Sequence, residues 1–123
     1  MRFCLDLGHQ SWTTGVAADQ IERTIAQARA ADSTGFDSVW LTEDPEGWDA
    51  FAVLAVLARE TTQIRLGPGV TNPFLRHPNL IAASLATLDR ISGGRAFLGL
   101  GRGQPEWYEK ALGVRTVDPL AAV

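Results

Sequence analysis

Short apolar runs alternate with stretches of helical periodicity along the chain. Arg2-Phe3-Cys4-Leu5-Asp6-Leu7 reads as a strand that Gly8 stops. From Ala18 to about Ser33 the apolar positions Ala18, Ile21, Ile25 and Ala28 recur at spacings of three and four. That is one face of an amphipathic helix, with Glu22, Arg23 and Arg29 largely outside it. Gly35 supplies the C-terminal cap, and Ser38 to Thr42 is a second strand. Asp49 is a good N-cap for the next helix, about Ala50 to Glu60. Its run Ala50 to Ala58 is apolar on every side, which predicts burial on more than one face. A third strand covers Ile64 to Val70. Pro78 suits the first turn of a helix running to Ile91, with Ile81, Leu85 and Leu88 on one face. Ser92-Gly93-Gly94 ends it, Ala96 to Leu100 is a fourth strand, and a weaker helical start covers Glu106 to Leu112.

Strands that begin near residues 2, 38, 64 and 96 have the spacing of repeated βαβ units, and so imply a parallel sheet with right-handed crossovers. Two architectures fit. One is a doubly wound sheet with helices on both faces. The other is the first half of an eight-stranded (β/α) barrel, with helices on one convex face; a whole barrel takes about 250 residues.

Composition narrows the class of protein. With 123 residues, 46% apolar and 20% charged, residues 1–123 suffice for one domain and exclude a disordered chain. No run reaches the roughly 18 apolar residues of a membrane span. A net charge of −3 with scattered Arg offers no stripe for nucleic acid. Cys4 stands alone, so neither an internal disulfide nor a thiolate metal cage is expected. No spacing of His, Cys, Asp and Glu suggests a metal site, and no Ser elbow or Cys/His pairing suggests covalent catalysis. The start lacks the regions of a signal peptide, so the expected location is cytoplasmic.

The segment Gly67-Pro68-Gly69-Val70-Thr71-Asn72-Pro73-Phe74-Leu75-Arg76-His77-Pro78 resembles a signature of the bacterial luciferase-like superfamily. More narrowly, it resembles the deazaflavin-dependent branch that includes methylenetetrahydromethanopterin reductase. The likeness continues from Ala86 through Leu88-Asp89-Arg90-Ile91-Ser92-Gly93-Gly94-Arg95 to Gly103, and Gly35 to Leu41 matches the lead into the family's second strand. The resemblance implies an α/β fold, the N-terminal half of a (β/α)8 TIM barrel with about four parallel strands. It implies an oxidoreductase moving hydride between coenzyme F420 and a small organic substrate. An FMN-dependent monooxygenase of the same superfamily is the alternative cofactor reading. It further implies a non-prolyl cis peptide at Gly69-Val70. A half barrel leaves two sheet edges unpaired, so the chain is expected either to be a fragment of a longer protein or to have those edges covered by another barrel half. The resemblance also implies a homodimer whose interface uses helices of this half, and the apolar helix Ala50 to Ala58 is compatible with that, as it is with burial under the missing half. The rival reading is an inactive, truncated or partner-dependent module.

In barrels the strand C-terminal ends carry the active site. Four ends are readable here: Asp6-Leu7-Gly8-His9, Thr42-Glu43-Asp44, Gly69-Val70-Thr71-Asn72 and Gly101-Arg102-Gly103. Glu43 and Asp44 are candidate proton donors, since a carboxyl group with a raised pKa can serve hydride chemistry. A solvated acidic turn before Pro45 is the bland alternative. His9 is a candidate acid–base group, while His77 reads most simply as a helix-start residue with Arg76 pairing nearby. Gly69, Val70, Thr71 and Asn72 are candidate cofactor contacts, with Val70 as an apolar wall against one ring face. Gly101 and Gly103 would let backbone approach a flat ring and offer N–H groups to its carbonyls, and Arg102 is a candidate anion or carbonyl contact. The same glycines read equally as a tight turn with a solvated Arg, and Gln104 breaks the dinucleotide pattern G-x-G-x-x-G. Trp12, Trp40 and Trp107 read as packing, and Trp48 is the indole expected nearest a ring. Half of one pocket wall predicts little or no catalysis by the chain alone.

Overall fold

Period-two alternation places Leu5, Val39 and Leu66 in one row across three strands, and Asp6, Trp40 and Gly67 in a row on the opposite face. The computed structural model describes residues 1–8, 19–115 and 118. Its strands are β1 (Cys4–Asp6), β2 (Ser38–Leu41) and β3 (Arg65–Pro68), all parallel, in the order β1-β2-β3. Its helices are α1 (Gln20–Ser33), α2 (Ala50–Glu60), α3 (Pro78–Ser92) and α4 (Pro105–Leu112).

One apolar cluster holds these elements together. Leu54 and Leu57 of α2 have no exposed surface and share the cluster with Ala28 and Ala31 of α1, Leu88 of α3, and Val39, Leu41 and Leu66 of the sheet. Its strand residues all come from the Leu5–Val39–Leu66 face. The other face carries exposed Cys4, Asp6 and Arg65, with the Trp40 and Phe97 rings 4.4 Å apart. Among the described residues α1, α2 and α3 all pack on this one face, which is the barrel arrangement and not that of a doubly wound sheet. The helix expected to be apolar all round keeps one exposed outer stripe, Ala52 and Val56, while its other sides pack against the sheet, α1 and α3.

The fourth strand is less regular than its sequence predicts. Residues 96–100 run parallel to β3 but join it only at two bridges, Leu66 to Ala96 and Thr71 to Leu100. Phe97 N–H donates to Leu66 O at 3.1 Å, and Gly101 N–H to Thr71 O at 3.0 Å. Between those bonds β3 advances five residues and its partner four, so β3 carries one extra residue, a bulge. Pro68 lies in that interval and has no N–H to give to the ladder.

Local chemistry sets the helix ends much as the sequence indicates. Asp49 Oδ1 accepts from Ala52 N at 2.9 Å, and His77 Nδ1 accepts from Asn79 N at 3.2 Å ahead of Pro78. After α1, Phe36 N–H returns to Ala31 O at 3.0 Å with Gly35 at φ +81°, the left-handed residue that closes the helix. Two side chains tie the layers together. Arg95 donates to the carbonyls of Ala58, Thr61 and Ile64, joining the end of α2 to the lead into β3. Asp32, at the end of α1, accepts from the backbone N–H of Thr62, Gln63 and Ile64 at 2.8, 2.9 and 2.6 Å. Among the described residues no helix is long and apolar enough to cross a membrane.

Burial opposes ionisation of Asp32, but the N–H groups of Thr62, Ile64 and Gln63 outweigh it and hold the carboxyl below the ordinary Asp range. A depressed folded pKa contributes stability above the unfolded value, and that stability fades as pH falls through the folded one. Asp32→Ala is therefore expected to lower unfolding free energy by about 1 to 2 kcal/mol at neutral pH. Urea unfolding of both chains from neutral pH to below about pH 4 checks this, and the difference must shrink as the medium becomes acidic.

Candidate functional site

The parallel sheet aligns its strand ends, so the loops after β2, β3 and residues 96–100 meet on one side. After β2, the Glu43 side chain is only 6% exposed, and its Oε1 accepts from Arg76 Nε at 2.5 Å. Arg76 also donates from Nη2 to Asp49 Oδ2 at 2.5 Å, and its guanidinium lies 5.1 Å from the Phe51 ring centroid. Burial works against the Arg76 charge, but Glu43 and Asp49 more than offset it and raise its pKa. Burial likewise opposes ionisation of Asp49, while Ala52 N–H and Arg76 hold it below the usual range. Glu43 Oε2 and Trp48 Nε1 are buried without a hydrogen-bond partner among the described residues.

At the bulge the Gly69-Val70 peptide is cis, as the family resemblance implies. A Cβ on Gly69 would stand 2.7 Å from Trp40 Cε3, so the Trp40 ring occupies the room a side chain would need. Thr71 and Asn72 are fully buried. Asn72 Nδ2 donates to Tyr108 Oη at 2.9 Å, and its Oδ1 accepts from the N–H of Phe74 and Leu75, both at 3.1 Å. The Thr71 hydroxyl is buried without a partner among the described residues.

The glycines of the fourth loop serve the chain's own packing. Gly103 sits at φ +62°, and a Cβ there would fall 1.6 Å from Tyr108 Oη. Gly101 faces the Val70 side chain. The N–H groups of Gly69 and Gly101 donate to Leu41 O and Thr71 O, so neither is offered to a ligand, contrary to the expectation for Gly101. Burial pushes the Tyr108 phenol above its ordinary value.

These pieces enclose a recess of about 300 Å³ whose walls include Thr42, Glu43, Asp44, Gly69, Val70 and Tyr108. Glu43, Asp44, Gly69, Val70 and Gly103 are thus brought together as the sequence predicts. Thr71, Asn72 and Gly101 stand behind that wall as supports. Arg102 is exposed and lines a separate recess with Gln104, Pro105 and Glu106. His9 and Trp12 lie outside the described residues. His77 caps α3, and Trp48 lines a neighbouring hollow beside Asp49 and Arg76. Sequence reasoning missed Tyr108, which looks like one aromatic in a short amphipathic helix. It also left Arg76 without its partners, which lie 33 and 27 residues away. Among the described residues no group of three His, Cys, Asp or Glu could hold a metal ion.

Parallel strands with helices on the convex face, and a recess at their C-terminal ends, define the N-terminal part of a (β/α)8 barrel. Within that class the chain belongs to the luciferase-like monooxygenase family, whose model matches residues 1–123. It is 41% identical over 105 residues to 5,10-methylenetetrahydromethanopterin reductase of Methanolobus tindarius, covering 85% of this chain and 32% of that protein. The solved coenzyme F420-dependent tetrahydromethanopterin reductase of Methanopyrus kandleri superposes with a TM-score of 0.75 at 34% identity, over 96% of this chain and 31% of that one. The oxygenating constituent of 3,6-diketocamphane monooxygenase of Pseudomonas putida, in complex with FMN, gives 0.82 at 25% identity, over 100% and 36%. The chain spans about a third of the length of the relatives it matches.

Removing the Tyr108 hydroxyl leaves Asn72 Nδ2 buried and unpaired, so Tyr108→Phe is expected to cost about 1 to 3 kcal/mol in urea unfolding. Gly103→Ala is expected to cost more, because it both forces a left-handed residue to carry a Cβ and displaces the phenol.

Proposed function

We propose that this chain is the N-terminal half of an oxidoreductase that moves hydride between coenzyme F420 and a small organic substrate. The observation that carries the reading is Val70, half-exposed at the β3 bulge in the same recess as Asp44. Trp40 fills the space beside Gly69, and Val70 itself fills that beside Gly101, so an indole and one isopropyl group cover the glycines of the strand ends. That surface fits one face of a flat tricyclic ring. A bound deazaflavin would supply a two-electron hydride carrier. Val70 would support the ring face, and Gly69 would bring backbone close beneath it.

The two adjacent carboxylates take different parts. Glu43 is anchored by Arg76 and orients the loop after β2. Asp44, partly exposed on the recess, is the group assigned to give or take the proton that accompanies hydride. The reductase relatives support the F420 reading, and the FMN complex among the structural neighbours supports FMN as the second reading.

Titration of the purified chain with oxidised F420 and with FMN, followed by cofactor fluorescence, separates these. The expected result is saturable but weak F420 binding in preference to FMN, unchanged in Asp44→Asn and weakened at least tenfold in Val70→Glu. Preference for FMN would favour the monooxygenase reading. A folded chain that binds neither would remove the cofactor assignment.

A further inference from the structure

We infer that Tyr108 presents its hydroxyl hydrogen to the recess as a fixed donor for an uncharged carbonyl oxygen of a bound ligand. The Asn72 amide settles where that hydrogen goes. Asn72 Oδ1 accepts from the N–H of Phe74 and Leu75, both at 3.1 Å, so its Nδ2 is the atom that meets Tyr108 Oη at 2.9 Å. An amide nitrogen only donates, so the phenol oxygen accepts in that bond and the phenol hydrogen is left for another group. Among the described residues none takes it. Tyr108 is only 3% exposed, and a buried donor ordinarily has an acceptor. The oxygen itself lies against Gly103, whose added Cβ would fall 1.6 Å from it, and Gly103 and Tyr108 share the recess wall with Asp44 and Val70. An occupant of the recess is therefore the natural acceptor.

Charge around the recess selects the kind of acceptor. Glu43 and Asp44 are the acidic side chains of its wall, and no Lys, Arg or His joins them among the described residues. Arg76 meets Glu43 from a neighbouring hollow, and Arg102 lines a separate one. A carboxylate or phosphate bound here would face negative charge with no cation beside it, whereas a carbonyl oxygen accepts from the phenol without that repulsion. Burial, and behind it the charges of Asp44 and Glu43, hold the phenol above its ordinary pKa, so it remains a neutral donor at physiological pH. The inference goes beyond the cofactor reading and does not need it, since the carbonyl can belong to an organic substrate or to the flat ring of a cofactor.

Tyr108 is the single tyrosine of the chain, so tyrosine carrying an NMR-active carbon at Cζ gives one resonance that reports the hydrogen bonding of this hydroxyl. The purified chain is titrated separately with cyclohexanone, with oxidised F420 and with cyclohexanecarboxylate, an anionic probe of similar size. The expected result is a saturable shift with cyclohexanone or with F420, and none with the carboxylate. A response to the ketone alone assigns the acceptor to the substrate, and a response to F420 alone assigns it to the cofactor. Asn72→Asp is the discriminating variant. It keeps an oxygen for the N–H groups of Phe74 and Leu75, and it sets a second oxygen against Tyr108 Oη that draws the phenol hydrogen out of the recess. It is expected to weaken binding of the responding probe by roughly three- to tenfold, the contribution of one neutral hydrogen bond, with circular dichroism unchanged. Tyr108→Phe is expected to show the same loss. Should either variant lose its helical signal, the other decides, and should both, the wild-type shift decides alone. A resonance that no probe moves overturns the inference, since it leaves ordered water as the acceptor. So does a carboxylate that shifts it as strongly as the ketone, or binding that a folded Asn72→Asp chain retains in full. Absence of F420 binding alone removes the cofactor reading and leaves the ketone result to stand.

Discussion

Leu54 and Leu57 lie with no exposed surface between α2 and the outward rows of β2 and β3, and the geometry of the strand ends follows from that contact. The sheet has one buried face here, and α2 packs against β3 on that face while also touching α1 and α3. Truncating such a residue removes transfer energy and leaves a cavity, a loss of about 2 to 5 kcal/mol for Leu to Ala. The same contact sets the height of α2 on the sheet. Asp49 at its N-terminus thereby comes within reach of Arg76, and its C-terminal carbonyls come within reach of Arg95. Apolar burial positions the charged groups, and the charged groups then lock the loops.

The recess shows the same division of labour. Arg76 ties the loop after β2 to the start of α2, and the Asn72–Tyr108 bond ties the loop after β3 to α4. Between them, the β3 bulge lifts Val70 into the recess. Pro68 and the extra residue interrupt the ladder where the candidate chemistry lies, so sheet regularity gives way locally to the shape of the site. The glycine-rich loop illustrates how packing and function share residues. Gly103 is required by Tyr108 whatever binds above it, so its presence is explained before any ligand is considered.

Much of the fold was legible along the chain because its signals are local. Periodicity marked α1, α2 and α3, Asp49 and His77-Pro78 marked two helix starts, and Gly35 marked an end. Spacing of the strands gave the parallel βαβ order. The fourth strand was over-read, because an apolar run signals strand character and carries no sign that Pro68 on its neighbour lacks a donor. In the site, the strand-end position of Asp44 and Val70 was readable from topology. The roles of Asn72, Arg76, Asp32 and Tyr108 were not, because each is defined by a partner about 30 or more residues away, apart from the turn bonds of Asn72.

By itself, then, the sequence determined the element types, their parallel order and the family signature, since these depend on residue spacing within a few turns. Only the tertiary structure decided which face of the sheet the helices cover, where the ladder breaks, and which of two adjacent carboxylates meets Arg76. Those outcomes turn on packing between distant segments, where shape and desolvation select among pairings that residue order leaves equivalent.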